Sequence, residues 1–195
     1  LRTPLAIIKG TLEVLIRKPR EKQEYEEKIN FCISEVDRVN KLVDELLLLA
    51  RFENEKQNIK SESVLLNALL LDTSARFSEK IKDKQCKINN QFEDEVYIQS
   101  DYNLVSIILS NIFSNALKYS EENSNVKLYN ENNVVKCSIT DEGIGISEED
   151  KDKIFNAFFR SESLNHPDIK GTGLGLSIVK RLCELLSITI NIESQ

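Results

Sequence analysis

Residues 51–62 read Arg51-Phe52-Glu53-Asn54-Glu55-Lys56-Gln57-Asn58-Ile59-Lys60-Ser61-Glu62, and the hydrophobic pattern of the chain changes across them. Before this polar stretch, apolar residues recur on helical stripes. Leu1, Leu5, Ile8, Leu12 and Leu15 step by 4, 3, 4 and 3 residues, a mean of 3.5. Ile29, Ile33, Val36, Val39, Val43, Leu46 and Ala50 step by 4, 3, 3, 4, 3 and 4, again a mean of 3.5. That period belongs to seams that keep facing a partner as helices wind around each other. Lys18-Pro19-Arg20 interrupts the pattern, because proline cannot continue a helix interior. The stripes predict an antiparallel helical hairpin. Two helices alone cannot enclose a core, so the expected completion is a homodimeric four-helix bundle through residues 1–57. Periodicity by itself describes a plain dimerisation coil, with no chemistry attached.

After the polar stretch the pattern is mixed, and residues 58–195 are expected to form a second domain. Ala68 to Lys82, Asn103 to Lys118 and Leu174 to Leu186 carry helical spacing. Cys86 to Phe92, Val126 to Tyr129, Val135 to Ile139 and Ile188 to Ile192 alternate apolar with polar, as half-buried strands do. Asn130-Glu131-Asn132-Asn133 is a hairpin-turn candidate between two of them. The fold class is therefore α+β: a helical hairpin followed by an α/β sandwich with a mixed sheet and helices on one face.

Charge excludes some functions. The net charge is −6, with 12 Lys/Arg against 11 Asp/Glu in residues 1–60 and 14 against 21 in residues 61–195. An acidic second part argues against nucleic acid, which demands a basic footprint. The longest strongly apolar run, Leu46 to Ala50, is far too short to cross a bilayer. Cys32, Cys86, Cys137 and Cys183 are scattered without a Cys-x-x-Cys, so each is expected to act as a small buried hydrophobe. With one histidine, His166, a structural zinc site is not expected. The chain has no methionine, from which we expect a piece of a longer protein.

Three short motifs carry the chemistry. Asn111, Asn115 and Lys118 fall at i, i+4 and i+7 on one predicted helix, a polar stripe expected opposite Leu104, Ile108 and Ile112. Asparagine is a mediocre helix former. Two on one face fit either a solvated surface or an amide oxygen for a hard cation beside an ammonium for phosphate. Asp141-Glu142-Gly143-Ile144-Gly145 follows a predicted strand. Its carboxylate can accept from the exocyclic amine of adenine, and its glycines allow close approach to a planar base, although post-strand turns share this composition. Gly171-Thr172-Gly173-Leu174-Gly175-Leu176 opens an apolar helix, where exposed backbone N–H groups can hold phosphate. It matches neither the Walker A spacing nor the dinucleotide fingerprint. Between the glycine motifs, Ile154-Phe155-Asn156-Ala157-Phe158-Phe159-Arg160 precedes a polar stretch from Ser161 to Lys170, the pattern of a hydrophobic hinge beneath a movable lid. Arg160 and Lys170 are candidate phosphate contacts.

In order and spacing these segments resemble the N, G1, F and G2 boxes of the sensor histidine kinases, within the GHKL ATPase superfamily. Leu1-Arg2-Thr3-Pro4-Leu5 resembles the second part of that family's H box, His-Glu-Leu-Arg-Thr-Pro-Leu. The likeness spans almost the whole chain. It implies a dimerisation and histidine-phosphotransfer hairpin at 1–57 and a catalytic ATP-binding domain at 58–195. It further implies that Asn115 coordinates Mg²⁺, Asn111 supports it, and Lys118 reaches the phosphates. Tyr119 would pack beside the nucleotide, Asp141 would read adenine, Arg160 would approach the γ-phosphate, and Gly171, Gly173 and Gly175 would cradle the phosphates. Gly143, Gly145, Thr172, Leu174 and Leu176 belong to the same expected site. Thr3 would orient water for dephosphorylating the partner, or merely cap a backbone carbonyl beside Pro4.

The implied reaction is ATP-dependent phosphorylation of a histidine, then transfer to an aspartate on a response-regulator receiver domain. The resemblance places that histidine two positions before Leu1, an acidic general base one position before, a further strand after Gln195 and a membrane anchor upstream. A cytoplasmic portion of an anchored sensor, unable to phosphorylate itself, is the expectation. Competing readings are a nucleotide-holding dimeric scaffold or pseudokinase, and a GHKL ATPase or anti-sigma-type protein-serine kinase, which lack a Leu-Arg-Thr-Pro-Leu hairpin.

Overall fold

A computed structural model describes residues 2–54, 59–83, 87–90, 95–131, 134–161 and 171–194. The chain divides into two compact units, Leu1–Asn54 and Glu55–Gln195.

The first unit is a pair of helices, α1 (Arg2–Leu15) and α2 (Lys22–Asn54). The break falls at the predicted proline, and Arg20 fastens the turn: it pairs with Glu24 and donates to the Val14 carbonyl at 3.4 Å. Pro4, Leu15 and Cys32 are buried where the two helices meet, and the Cys32 thiol faces the Ile8 carbonyl at 3.9 Å. Much of the stripe stays outside that contact. Leu5, Leu12, Ile29, Ile33, Val36 and Val43 are all exposed, as a two-helix unit with no second layer requires.

The second unit begins with β1 (Glu62–Leu65), which pairs antiparallel with β3 (Tyr97–Ser100). Neither strand is legible in the sequence, since four residues are too few to show alternation. A separate three-stranded sheet has the order β2-β4-β5, from β2 (Lys87–Asn90), β4 (Ser120–Glu131) and β5 (Val134–Gly143). It is mixed: β2 runs parallel to β4, and β4 antiparallel to β5. Cys86, part of the predicted 86–92 strand and the tip of the predicted hairpin turn lie outside the described residues.

The single helix expected over 68–82 is two, α3 (Leu66–Ala75) and α4 (Ser78–Asp83). Ser74 spends its hydroxyl on the Leu71 carbonyl, and the Phe77 N–H turns back to the Ser74 carbonyl at 2.9 Å. Such local bonds compete with continuation of a helix. The turn lets Phe77 stack on Phe113 of α5 (Tyr102–Tyr119), with centroids 6.3 Å apart. The core gathers Val64, Leu66, Leu69 and Leu70 with Val105, Leu109 and Phe113 of α5 and Val126 and Leu128 of β4. The short α6 (Glu148–Lys151) follows β5, and α7 (Gly175–Leu186) packs against α5.

Two expectations fail in this unit. Residues 188–194 form no strand. Ser187 takes a left-handed conformation (φ 56°) to cap α7, and Ser194 is held instead by the loop after β5: its hydroxyl accepts the Ile146 N–H at 2.8 Å and its carbonyl accepts Lys151 Nζ at 3.2 Å. Alternation prepares a strand, but a ladder partner makes one. Cys137 is exposed on β5, unlike Cys32 and Cys183, which are buried as expected.

Candidate functional site

α5 carries Asn111, Asn115, Lys118 and Tyr119, and its start is fixed firmly. Asp101 is buried, and one carboxylate oxygen accepts the N–H groups of Asn103 and Leu104 at 3.0 and 3.1 Å while the other accepts that of Lys60 at 3.1 Å. This is an N-cap. It is a positioning feature the sequence reading passed over, although an aspartate directly before an apolar-periodic run signals it.

The asparagine stripe does not lie opposite Leu104 and Ile108. Seven residues return a helix to nearly the same face, so Leu104 sits in line with Asn111, and both leucine and Ile108 are buried. Asn111, Asn115, Lys118 and Tyr119 are half-buried, continuing a covered face rather than forming a solvated one. Asn111 donates through Nδ2 to the Ile107 carbonyl at 2.9 Å, which leaves Oδ1 aimed at another element. That element is the first turn of α7. A Cβ built on Gly175 would stand 2.8 Å from Asn111 Oδ1. Two motifs 64 residues apart are thereby in direct contact.

The Asp141 motif closes from the side of the sheet. Gly143 pairs with Ser120 across β4 and β5, and its N–H donates to Asp141 Oδ1 at 3.0 Å. A Cβ on Gly143 would run into the Tyr119 carbonyl, so this glycine is required by close approach to the end of α5. Asp141 is exposed, and it lies within β5, paired with Ser124, rather than after the strand as expected, because the β4–β5 ladder runs on to Gly143. Gly145 has φ 71°, and Ser194 holds the next amide.

The glycine-rich loop meets the aromatic hinge. Gly173 has φ 75°, and its carbonyl accepts the Phe158 N–H at 2.9 Å. Phe158 is itself left-handed (φ 66°) although 59% exposed, a strained backbone at an open aromatic. Thr172 Oγ1 accepts the Leu174 N–H at 3.3 Å, and Leu174 is fully buried as the loop's anchor. Leu176 is half-buried, and Gly171 has open space where a side chain would be. Further along α7, Lys180 Nζ lies 5.7 Å from the Phe155 ring centre. Burial, and then the Glu184 charge, push the Cys183 thiol up to about 11. Arg160 is half-buried next to Ser161, whose hydroxyl donates to Asp150. Thr3 is exposed on α1, in the first unit. Lys170 and His166 lie outside the described residues.

Among the described residues no group of three His, Cys, Asp or Glu could hold a metal. A hard cation at Asn115 would therefore depend on an amide oxygen, with ligand phosphates and water completing its oxygen shell. The glycine-rich loop enters α7 at its N-terminus, and backbone N–H groups at such a position can receive a phosphate-bearing ligand.

Comparison with known proteins places the chain in a family. Residues 1–55 match the His Kinase A (phospho-acceptor) domain, and residues 100–195 match the histidine kinase-, DNA gyrase B- and HSP90-like ATPase family. The chain belongs to the sensor histidine kinases of two-component systems. It is 31% identical over 190 residues to the sensor histidine kinase WalK of Bacillus subtilis, covering 94% of this chain and 31% of that protein. It is 33% identical over 210 residues to the signal transduction histidine-protein kinase ArlS of Staphylococcus epidermidis strain RP62A, covering all of this chain and 43% of that one. The chain thus spans well under half the length of these curated relatives. The Acinetobacter baumannii histidine kinase AdeS shares the fold, with a TM-score of 0.78 at 23% identity over all of this chain and 90% of that one. The catalytic domain of histidine kinase ThkA matches 64% of this chain and 80% of its own at 28% identity, with a TM-score of 0.55. As in this kinase family, the domain carries an ATPase-type fold. Among the described residues no helix is long and apolar enough to cross a membrane.

Proposed function

We propose that the chain is the kinase core of a membrane-anchored sensor, cytoplasmic in location, that phosphorylates a histidine from Mg·ATP and passes the phosphoryl group to an aspartate on a response-regulator receiver domain. Residues 58–195 bind the nucleotide. Residues 1–57 form the dimerising phosphotransfer hairpin, and their exposed apolar stripe supports pairing with a second copy.

The contact of Asn111 with Gly175 carries this reading, because it joins the asparagine helix to the glycine loop with no side chain between them. In the same unit Tyr119 meets Gly143, so the adenine-reading end of β5 borders the same helix end. Asp141 accepts the adenine amine; guanine presents a carbonyl there and is repelled. Gly143 and Gly145 allow the base to approach. Gly171, Thr172, Gly173, Leu174 and Leu176 line the phosphates, with Gly175 beside them at the start of α7 and Lys170, Lys118 and Arg160 offsetting the charge. Bound Mg²⁺ would neutralise phosphate oxygens, and Asn115 is its protein ligand, supported by Asn111. Tyr119 packs beside the nucleotide. Phosphoryl transfer asks the protein mainly for position and charge, which these residues supply. Thr3 serves dephosphorylation of the receiver by orienting a water that attacks the aspartyl phosphate and releases inorganic phosphate.

The 195-residue chain, whose single histidine is His166, is expected to bind Mg·ATP and take up no acid-labile label from γ-labelled ATP. The test of the site is Asp141→Asn. Losing a charge-assisted hydrogen bond weakens ATP binding by about 1.5–3 kcal/mol, roughly ten- to a hundredfold. Unchanged affinity would remove Asp141 from the adenine pocket.

A further inference from the structure

Gly175 differs from its neighbours in the glycine loop. Gly171 faces open space, and Gly173 has a positive φ that only glycine adopts comfortably. Gly175 has neither reason. It is the first residue of α7, where alanine would be the better helix former. What it meets is a single group: its built Cβ would stand 2.8 Å from Asn111 Oδ1, 3.6 Å from Cγ and 4.0 Å from Cβ. Beyond its own helix, the three nearest atoms among the described residues all belong to that one side chain.

We infer that Gly175 is a positioning residue acting through Asn111, rather than a direct part of the phosphate cradle. The Asn111 amide is fixed from both sides. Its nitrogen is spent on the Ile107 carbonyl at 2.9 Å, and its oxygen is seated on the bare Cα of Gly175. The amide therefore works as a strut that sets the spacing between α5 and the start of α7. Asn115, one turn further along α5, is thereby held at a fixed distance from the amides that receive the phosphates. A methyl at Gly175 drives the strut off its seat, and the cation ligand moves relative to the phosphate-binding turn. The inference rests on the nucleotide-site reading above and deepens it.

The geometry also specifies a sign reversal. In an Asn111→Ala background, Cγ and Oδ1 are gone, and the new methyl at 175 faces only the Asn111 Cβ position at 4.0 Å, an ordinary packing distance. Gly175→Ala should then be harmless, and its better helix propensity should show.

The test is a double-mutant cycle in the 195-residue chain, using Gly175→Ala, Asn111→Ala and the pair. Thermal midpoint is measured without nucleotide, and affinity is measured for Mg·ATP and for ATP in chelator. Gly175→Ala alone should lower the midpoint and weaken Mg·ATP more than metal-free ATP, because the adenine contacts at Asp141 are untouched. In the Asn111→Ala background the same change should leave the midpoint equal or higher and cause no further loss of Mg·ATP affinity. If Gly175→Ala lowers Mg·ATP affinity by the same factor in both backgrounds, Gly175 touches the phosphates directly and the inference is wrong. Equal midpoint losses in both backgrounds would overturn it as well. Failure of the unaltered chain to bind ATP would instead sink the nucleotide-site reading, and does so in a separate measurement.

Discussion

Gly173→Ala puts the link between the aromatic hinge and the glycine loop under the sharpest strain. At φ 75° an alanine pays the left-handed penalty of about 1–2 kcal/mol. Its Cβ would also lie 2.8 Å from the Phe158 carbonyl carbon, 2.9 Å from Cα and 3.0 Å from the carbonyl oxygen. Those are backbone atoms, so relief requires the 156–159 turn to move. Movement loosens the Phe158 N–H bond to the Gly173 carbonyl, which contributes about 1 kcal/mol. The combined loss is about 3 kcal/mol. For a unit spanning Glu55–Gln195, unfolding entropy of about 2 cal/mol/K per residue turns that into a midpoint drop of about 10 °C. Gly171→Ala is the matched control, since its Cβ meets nothing within 4 Å and its φ is not positive. It should change stability by less than about 0.5 kcal/mol, a midpoint shift of about 2 °C or less. Circular dichroism melts of both variants without nucleotide decide the matter. Equal midpoints for the two, or a Gly173→Ala melt identical to the unaltered chain, would show that the loop does not dock on Phe158 as described.

Two further outcomes follow from buried groups. Asp101→Ala strips three backbone N–H groups of their acceptor and should destabilise the second unit by about 2–4 kcal/mol, with Asp101→Asn losing visibly less; urea melts measure both. Cys183 has a thiol raised from 9.0 to about 11, so the folded state holds its proton more tightly than the unfolded state does. Its contribution is complete below about pH 9 and is lost as pH rises towards 11. Stability of the unaltered chain should therefore fall more steeply across that window than stability of Cys183→Ala, and parallel slopes would contradict the assignment.

Much of the architecture could be read from periodicity, because long apolar stripes at 3.5 residues and a helix-breaking proline leave few alternatives. The two helices of the first unit, α5, α7 and the β4–β5 pair all arise where the stripes at 1–15 and 29–50 and the patterns at 103–118, 174–186, 126–129 and 135–139 predict them. Short or tertiary-determined features escaped. Strands β1 and β3 are four residues each, and the break after Ala75 depends on Ser74 bonding to its own backbone and on Phe77 finding Phe113. Ile188 to Ile192 alternate like a strand, but no ladder forms there, and Ser194 is held by the Ile146 N–H and the Lys151 ammonium. The site motifs were visible as residue types, whereas their contacts were not. Nothing in the spacing says that Asn111 meets Gly175, that Tyr119 meets Gly143, or that an exposed Phe158 adopts a left-handed backbone against Gly173. Those contacts arise from chain crossings, and they separate three glycines of one motif into three different physical roles.

We place one adenine nucleotide in the second unit between α5, the Asp141 end of β5 and the start of α7. Calorimetric titration of the 195-residue chain with Mg·ATP and, separately, with Mg·GTP tests it most directly. Saturable binding of one ATP per chain, with GTP weaker by about tenfold or more, is the predicted result. No heat of binding with ATP, or equal affinity for the two nucleotides, would contradict the account.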